Sequence, residues 1–499
     1  MKKNTVKEVI TKIFKPHDIL SQQMISGGVL LFIGKIIELI LSFLTLIIAG
    51  RILNPLAFGL VGIAYLMIDI LNTFTQFGFK QALIQRKDIS TYMNSAWTLS
   101  ILRACILYAI MFFIAPLVSL ITNEPEVKFI IQILSLSILI DSFSNIYLVY
   151  FVKELEFKKY FYFTISTTIG NFVFTVIFVI VLQNVWGIVI GKLLGEFVKV
   201  IISYLVITKN RPKFSLNWRK INELFQFGKW LLGSVILIFF ITQGDDIFVG
   251  LVLGATALGL YQMAYKFSNL PATMITHAIT GASYPTYSKL QDDQIKLRNY
   301  YLGILKITLF FAFPFAGLLF IISPEFITLF LGNKWLAVIP IMQILCIFGA
   351  LRSINATTGP LFQAVGKPEI LTKVSAIQLI FLGIIIIPMG IIYGLIGISL
   401  AVTISNFVNL YFAIREVSKI IDLKARSIIL KILPFILSII FTIFIIYIIK
   451  LIILNHFEPW LNLIISICAG SVIYLLIVKI TGFSIFEYLY TFFTQDGNI

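Results

Sequence analysis

Charge is scarce in this sequence. Only 12% of its 499 residues are Asp, Glu, Lys or Arg, whereas 59% are hydrophobic and the mean hydropathy is +0.98. A soluble globular chain carries about twice that share of charge, so a soluble fold is excluded. Alternating segments of ~10 residues are also missing, which excludes a membrane barrel. The apolar residues run instead in stretches of roughly 20, long enough to cross the hydrocarbon as helices. Cysteine is nearly absent: Cys105, Cys346 and Cys468 lie in separate apolar runs. With no CxxC and no disulfide framework, they read as small core residues. Histidine is as rare. There is no HExxH and no metal-ligand cluster, and His277 reads as a packing residue within a span. Gly366-Lys367-Pro368 lacks the upstream Gly and the following Ser or Thr of a phosphate loop. Long acid-bearing loops, which membrane glycosyltransferases need, are missing too. No hydrolytic or transfer chemistry is legible, so the chain is expected not to be an enzyme and to need no metal or cofactor. Met1–Gln23 lacks the apolar core of a cleavable signal and reads as a basic segment on the cytoplasmic surface.

What is present is an all-α integral membrane protein of about 14 transmembrane helices. The apolar runs fall near 25–49, 58–79, 94–119, 128–151, 161–183, 186–208, 224–250, 256–283, 300–322, 336–358, 369–389, 392–414, 428–450 and 460–480. Of the 39 Lys and Arg residues, 27 fall in the termini and in alternate connections on one side. Only Arg51, Lys128, Lys334 and Lys450 fall on the other. Cytoplasmic loops carry such an excess, so both termini are expected in the cytoplasm of a bacterial plasma (inner) membrane. The net charge of +16 then needs no nucleic-acid partner.

The chain also repeats itself. Leu53–Tyr65 (LNPLAFGLVGIAY) and Leu253–Tyr265 (LGATALGLYQMAY) align without a gap, matching Leu53/Leu253, Ala57/Ala257, Gly59/Gly259, Leu60/Leu260, Ala64/Ala264 and Tyr65/Tyr265. Each copy closes one apolar run and opens the next. Weaker echoes pair Leu99–Arg103 with Leu302–Lys306 and Trp186–Gly191 with Tyr393–Gly397. Two homologous halves in a membrane chain point to a transporter with its site between them. The expected organisation is a basic segment over 1–24, a six-helix lobe over 25–208 and a cytoplasmic linker over 209–222. A second six-helix lobe over 223–418 and the last two spans with a cytoplasmic tail over 419–499 complete it. Gly187, Gly191 and Gly195 open one flat helix face for close packing. Pro314, Pro340, Pro360 and Pro388 are expected to kink second-half spans and leave carbonyls free.

Ionisable groups at membrane depth are costly and normally face a bundle interior or water. Here the deep cations are Lys35, Arg103, Lys192, Lys266, Lys306 and Arg352, expected to line a cationic, substrate-binding cavity. Lys199 and Lys229 sit nearer the ends of their spans, where they can snorkel. The acids Glu38, Asp69, Asp141, Glu196, Asp245 and Asp246 are candidates for ion pairing or coupling. Lys35 and Glu38 are spaced i, i+3 and can pair. Lys192, Glu196 and Lys199 share one helix face, two cations around one carboxylate, and leave a net positive stripe. The repeat sets Arg103 against Lys306, and Asp69 against Asn269. Such a cavity favours an anionic ligand, with phosphate or pyrophosphate suited to Lys and Arg donors.

Several stretches carry a family resemblance: Ala49–Gln85, Asn94-Ser95-Ala96-Trp97, Leu155-Glu156-Phe157-Lys158, Asp245–Tyr261, Pro271, Ser283–Gln291 and Gln363–Pro368. Through them the chain resembles the polysaccharide-exporter branch of the multidrug/oligosaccharidyl-lipid/polysaccharide exporter superfamily, close to flippases of the Wzx type. The resemblance covers the first twelve spans. It implies two six-helix lobes, alternating access, and translocation of undecaprenyl-diphosphate-linked oligosaccharide units for O-antigen, capsule or exopolysaccharide synthesis. It implies membrane lipid as a further partner, a polysaccharide polymerase or ligase nearby, and a monomer. Proton or sodium coupling is a hypothesis the acids allow. The alternatives are a multidrug or small-molecule exporter of the same superfamily, which would want a net acidic cavity, and a non-transport scaffold of a polysaccharide assembly complex.

Overall fold

A computed structural model describes residues 19–75, 89–208, 210–217, 236–452 and 457–481. Among these residues every regular element is helical. In chain order the helices are α1 (Ile19–Ile52), α2 (Pro55–Thr75), α3 (Ser90–Thr122), α4 (Pro125–Leu134), α5 (Leu136–Ser142), α6 (Val149–Lys153), α7 (Phe157–Leu182) and α8 (Val185–Val206). There follow α9 (Ile236–Leu253), α10 (Ala255–Ser268), α11 (Leu270–Leu290), α12 (Gln294–Phe330), α13 (Val338–Ala364), α14 (Pro368–Ile420), α15 (Ala425–Ile452) and α16 (Pro459–Ile480). Contacts divide the chain between Gly259 and Leu260 into two compact units. The seventh expected span, α9, belongs to the first.

The chain is a multi-pass membrane protein. Ten helices among the described residues are long and apolar enough to cross a bilayer, or eleven when Pro125–Ser142 and Ile146–Lys153, bent by 66°, count as one span. The rest of the expected fourteen falls in three places. α8 carries Lys192, Glu196 and Lys199, too many charges for a purely apolar span. The eighth expected span is divided between α10 and α11. The third place is α14, whose 53 residues hold two expected spans. A straight helix of that length would reach ~80 Å against a hydrocarbon core of ~30 Å. Gly394 breaks it, with φ 58° and ψ −138°. That left-handed φ suits glycine, and the kink comes there rather than at Pro388.

In the first unit, α7 and α8 pack against each other along their length. A Cβ on Gly187 would strike the Val179 backbone, one on Gly191 the Thr175 backbone, and one on Gly195 the Asn171 backbone. Three glycines one turn apart thus meet three residues one turn apart on an antiparallel neighbour, the close approach that small residues permit. The repeat glycines meet in the same way. A Cβ on Gly59 would overlap the Ala255 carbonyl, and one on Gly259 would overlap the Pro55 carbonyl. Residues 55 and 59 therefore face 255 and 259 reciprocally, as a local two-fold relation between copies requires. Both copies also break at the same register. Asn54 Oδ1 accepts from the Ala57 amide at 2.9 Å to start α2, while Gly254 turns with φ 86° ahead of α10.

The linker after α8 is pinned to the first unit. Asn94 Oδ1 and Thr98 Oγ1 accept the Lys213 and Ser215 amides at 3.0 and 2.9 Å. Two residues of extended chain cover ~6.6 Å and four residues of helix ~6 Å, so alternate amides match acceptors one turn apart. Phe214 lies against Trp97 at 4.9 Å between ring centroids. Asn94 and Trp97 of the Asn94–Trp97 motif thus acquire a structural task.

In the second unit, buried residues of α11 to α16 share one core containing Tyr287, Tyr301, Leu305, Leu309, Phe362, Val417, Ile428 and Tyr474. Two helix prolines are answered rather than left open. Pro324 cannot donate to the Phe320 carbonyl, which instead accepts from Ser323 Oγ at 2.9 Å and Gln343 Nε2 at 3.4 Å. In the first unit Pro116 likewise releases the Phe112 carbonyl, which accepts from Gln132 Nε2 at 3.1 Å. Each glutamine comes from the next helical segment, so both halves use the same device, and the freed carbonyls are occupied.

Candidate functional site

Among the described residues the largest ionic cluster lies in the first unit, on α8 and the helices beside it. Asn184 caps α8, its side chain accepting the Trp186 amide at 3.0 Å. One helix face then presents Lys192, Glu196 and Lys199. Lys192 Nζ donates to Glu196 Oε1 at 2.7 Å. Lys199 Nζ lies 2.6 Å from Asp141 Oδ1 and 3.3 Å from Glu196 Oε2. Asp141 reaches the cluster because the chain breaks around it. A 3₁₀ turn at Ile146–Leu148 follows Asn145, whose amide donates to Ser203 Oγ at 2.9 Å and whose Nδ2 donates to the Asn210 carbonyl at 3.0 Å. Tyr204 adds a bond from its hydroxyl to the Phe143 carbonyl at 3.0 Å. The expected net positive stripe is therefore corrected. Asp141 arrives from another helix and balances the second lysine, giving two ammonium groups and two carboxylates. From α2, Tyr65 and Asp69, one turn apart, face Lys192 within electrostatic reach.

Arg103 is held differently. Nε donates to Thr75 Oγ1 at 3.0 Å, and Nη2 donates to Asn72 Oδ1 at 2.9 Å and to the Asn72 carbonyl at 3.2 Å. All three acceptors are neutral. No carboxylate among the described residues pairs with it within 4.0 Å, and Asp141 lies within electrostatic reach. The guanidinium is oriented without being neutralised.

The remaining candidates are dispersed. Lys35 and Glu38 pair at 3.0 Å, as their spacing requires, with half-exposed side chains. Asp245 is buried and Asp246 partly buried midway along α9. In the second unit, Arg352 Nη1 donates to Tyr265 Oη at 3.2 Å. Lys266, next to that tyrosine, is exposed. Lys306 is partly buried and within electrostatic reach of Lys431. Three amide contacts lie nearby in sequence: Asn355 Nδ2 to Asn406 Oδ1 at 2.7 Å, Asn406 Nδ2 to the Phe348 carbonyl at 3.4 Å, and Asn409 Nδ2 to Gln378 Oε1 at 2.8 Å. The side chain of His277 and all of Lys229 lie outside the described residues. No group of three metal-ligating side chains occurs among the described residues.

A second ion pair between residues distant in sequence also escaped the sequence reading. Lys450, placed there in an outer connection, ends α15 and donates to Glu325 Oε1 and Oε2 at 2.9 and 2.7 Å and to the Ile321 carbonyl at 2.6 Å. Its side chain is 12% exposed and that of Glu325 15%. The pair ties α15 to α12. Only Glu325, just after a helix proline in an otherwise apolar run, could have signalled it.

A model of the polysaccharide biosynthesis protein family matches residues 47–340. The chain is 27% identical over 431 residues to the lipopolysaccharide biosynthesis protein WzxC of Escherichia coli K12, covering 84% of this chain and 86% of that one. It is 28% identical over 295 residues to the teichuronic acid biosynthesis protein TuaB of Bacillus subtilis, covering 59% and 61%. In fold it is similar to the lipid II flippase MurJ in an inward closed conformation, with a TM-score of 0.72 at 18% identity over 92% of this chain and 98% of that one. An inward-facing multidrug resistance MATE transporter gives a TM-score of 0.58 at 19% identity over 77% and 95%.

Proposed function

We propose that this chain, which belongs to the polysaccharide biosynthesis protein family, is a flippase. It moves undecaprenyl-diphosphate-linked oligosaccharide units across a bacterial cytoplasmic membrane by alternating access. The observation that carries the reading is Arg103: a guanidinium at membrane depth, oriented by Asn72 and Thr75 and balanced by no carboxylate within 4.0 Å among the described residues. Such a group is costly to keep for packing alone. A planar fork of donors suits phosphate oxygens, which supply the missing charge. The relatives named for lipopolysaccharide and teichuronic acid synthesis, and the lipid II flippase of the same fold, support a lipid-linked saccharide as cargo.

Transport rather than catalysis is the proposed activity, with both termini in the cytoplasm, a monomer as the working unit and a polymerase or ligase downstream. Arg352, Lys266 and Lys306 are the proposed cations of the second half. Asp69 is the proposed coupling group, for a proton or a sodium ion, since Glu38, Asp141 and Glu196 are engaged in ion pairs. The test uses proteoliposomes containing a fluorescent undecaprenyl-diphosphate oligosaccharide. Wild type is expected to move the label between leaflets, and Arg103→Ala to lose that activity while keeping its elution profile and helicity. Equal transport by both proteins would refute the role of Arg103.

A further inference from the structure

We infer that the ion-paired ladder Lys192–Glu196–Lys199–Asp141 is the carbohydrate-recognising part of the site, separate in role from Arg103. The inference rests on the flippase reading and assigns parts of one ligand to two chemically different surfaces. A diphosphate is an acceptor-only anion and wants an uncompensated cation. A saccharide is uncharged along most of its surface, and each hydroxyl both donates and accepts. Its complement is a row of fixed donors and acceptors with no net charge.

The ladder has that composition. Along α8 the order is ammonium, carboxylate, ammonium, with the Asp141 carboxylate at the far end. From Lys192 to Lys199 it extends ~10 Å along the helix axis. Each group is fixed by its neighbour, so a hydroxyl meets oriented partners. Glu196 bridges both lysines, with Oε1 2.7 Å from Lys192 Nζ and Oε2 3.3 Å from Lys199 Nζ, and its carboxylate oxygens keep lone pairs for a further donor. A hydroxyl or a water can supply that further donor. The side chains of Lys192, Lys199 and Asp141 are 27%, 33% and 49% exposed. Acyl chains would make that exposure cost several kcal/mol, so these groups face an aqueous or polar space. Arg103 lies within electrostatic reach of Asp141, which sets the diphosphate-binding cation beside one end of the ladder.

The test measures affinity of the full-length protein in detergent for a ten-carbon isoprenyl diphosphate, bare or capped with glucose or N-acetylglucosamine. Wild type is expected to prefer at least one capped form by about tenfold or more, the worth of one charge-assisted hydrogen bond. The doubly neutral variant Lys192→Met/Glu196→Gln keeps side-chain volume and removes one charge of each sign from the ladder. It is expected to bind the bare diphosphate as wild type does and to lose the preference. Arg103→Ala is expected to weaken all probes alike. A double variant that keeps the preference, or weakens bare and capped probes equally while folded, overturns the carbohydrate assignment. So does a wild type with no preference for any cap. Failure of wild type to bind even the bare diphosphate overturns the flippase reading itself. Lys199→Met/Asp141→Asn serves as a second neutral pair should the first variant fail to fold.

Discussion

Removing one partner of the Lys450–Glu325 pair should destabilise the second unit strongly. Both side chains are shielded, at 12% and 15% exposure, and three short contacts of 2.6 to 2.9 Å hold the ammonium. Deleting one member of such a pair leaves the other charge buried alone, which costs about 3–5 kcal/mol. Lys450→Met and Glu325→Gln are each expected to lose that much. The double variant buries no orphan charge and should recover a large part of the loss. Cys346 is buried while Cys105 and Cys468 are exposed. In a Cys105→Ser/Cys468→Ser background a thiol-reactive dye therefore reports opening of the second unit through Cys346. Denaturant titration of that reactivity in detergent gives the three free energies. Single variants within about 1 kcal/mol of wild type, or a double variant equal to the sum of the singles, would refute the argument, since uncoupled groups add.

Three other outcomes are expected. Gly191→Leu should abolish the folded first unit, because even a Cβ there overlaps the Thr175 backbone; a monodisperse, fully helical variant on size exclusion and circular dichroism would contradict this. Gln132→Leu should cost about 1–3 kcal/mol by leaving the carbonyl released by Pro116 without its donor, while adding Pro116→Ala should remove most of that cost, a double-mutant cycle being the check. Asn94→Ala/Thr98→Ala should free the linker amides of Lys213 and Ser215; faster hydrogen exchange at 213–215, with α7 and α8 unchanged, is the expected readout.

Much of this protein was legible without coordinates, for reasons that are local. Scarcity of charge forces long apolar helices, because backbone groups in lipid must bond within their own segment. The spacing of Gly187, Gly191 and Gly195 put three gaps on one helix face, and the neighbouring helix fills them. The spacing of Lys35 and Glu38 determined their pair. Repeat arithmetic put Gly59 and Gly259 at equivalent positions, and helix packing brings each against the other copy.

The tertiary structure decided whatever depends on a partner distant in sequence. Lys199 reads as excess positive charge along α8, yet Asp141 sits 58 residues earlier and reaches it only because the chain breaks between α5 and α6. Lys450 reads as an outer-loop cation, yet Glu325 lies 125 residues away and meets it only when α15 packs on α12. Arg103 was legible as a cation at membrane depth, but its neutral cradle of Asn72 and Thr75 was not, since polar residues near the end of a span look like a boundary. Sequence alone thus determined where the charges are and which neighbours on one helix they can reach. Which charges are cancelled and which remain for a ligand was set by helix packing, because an ion pair depends on distance in space.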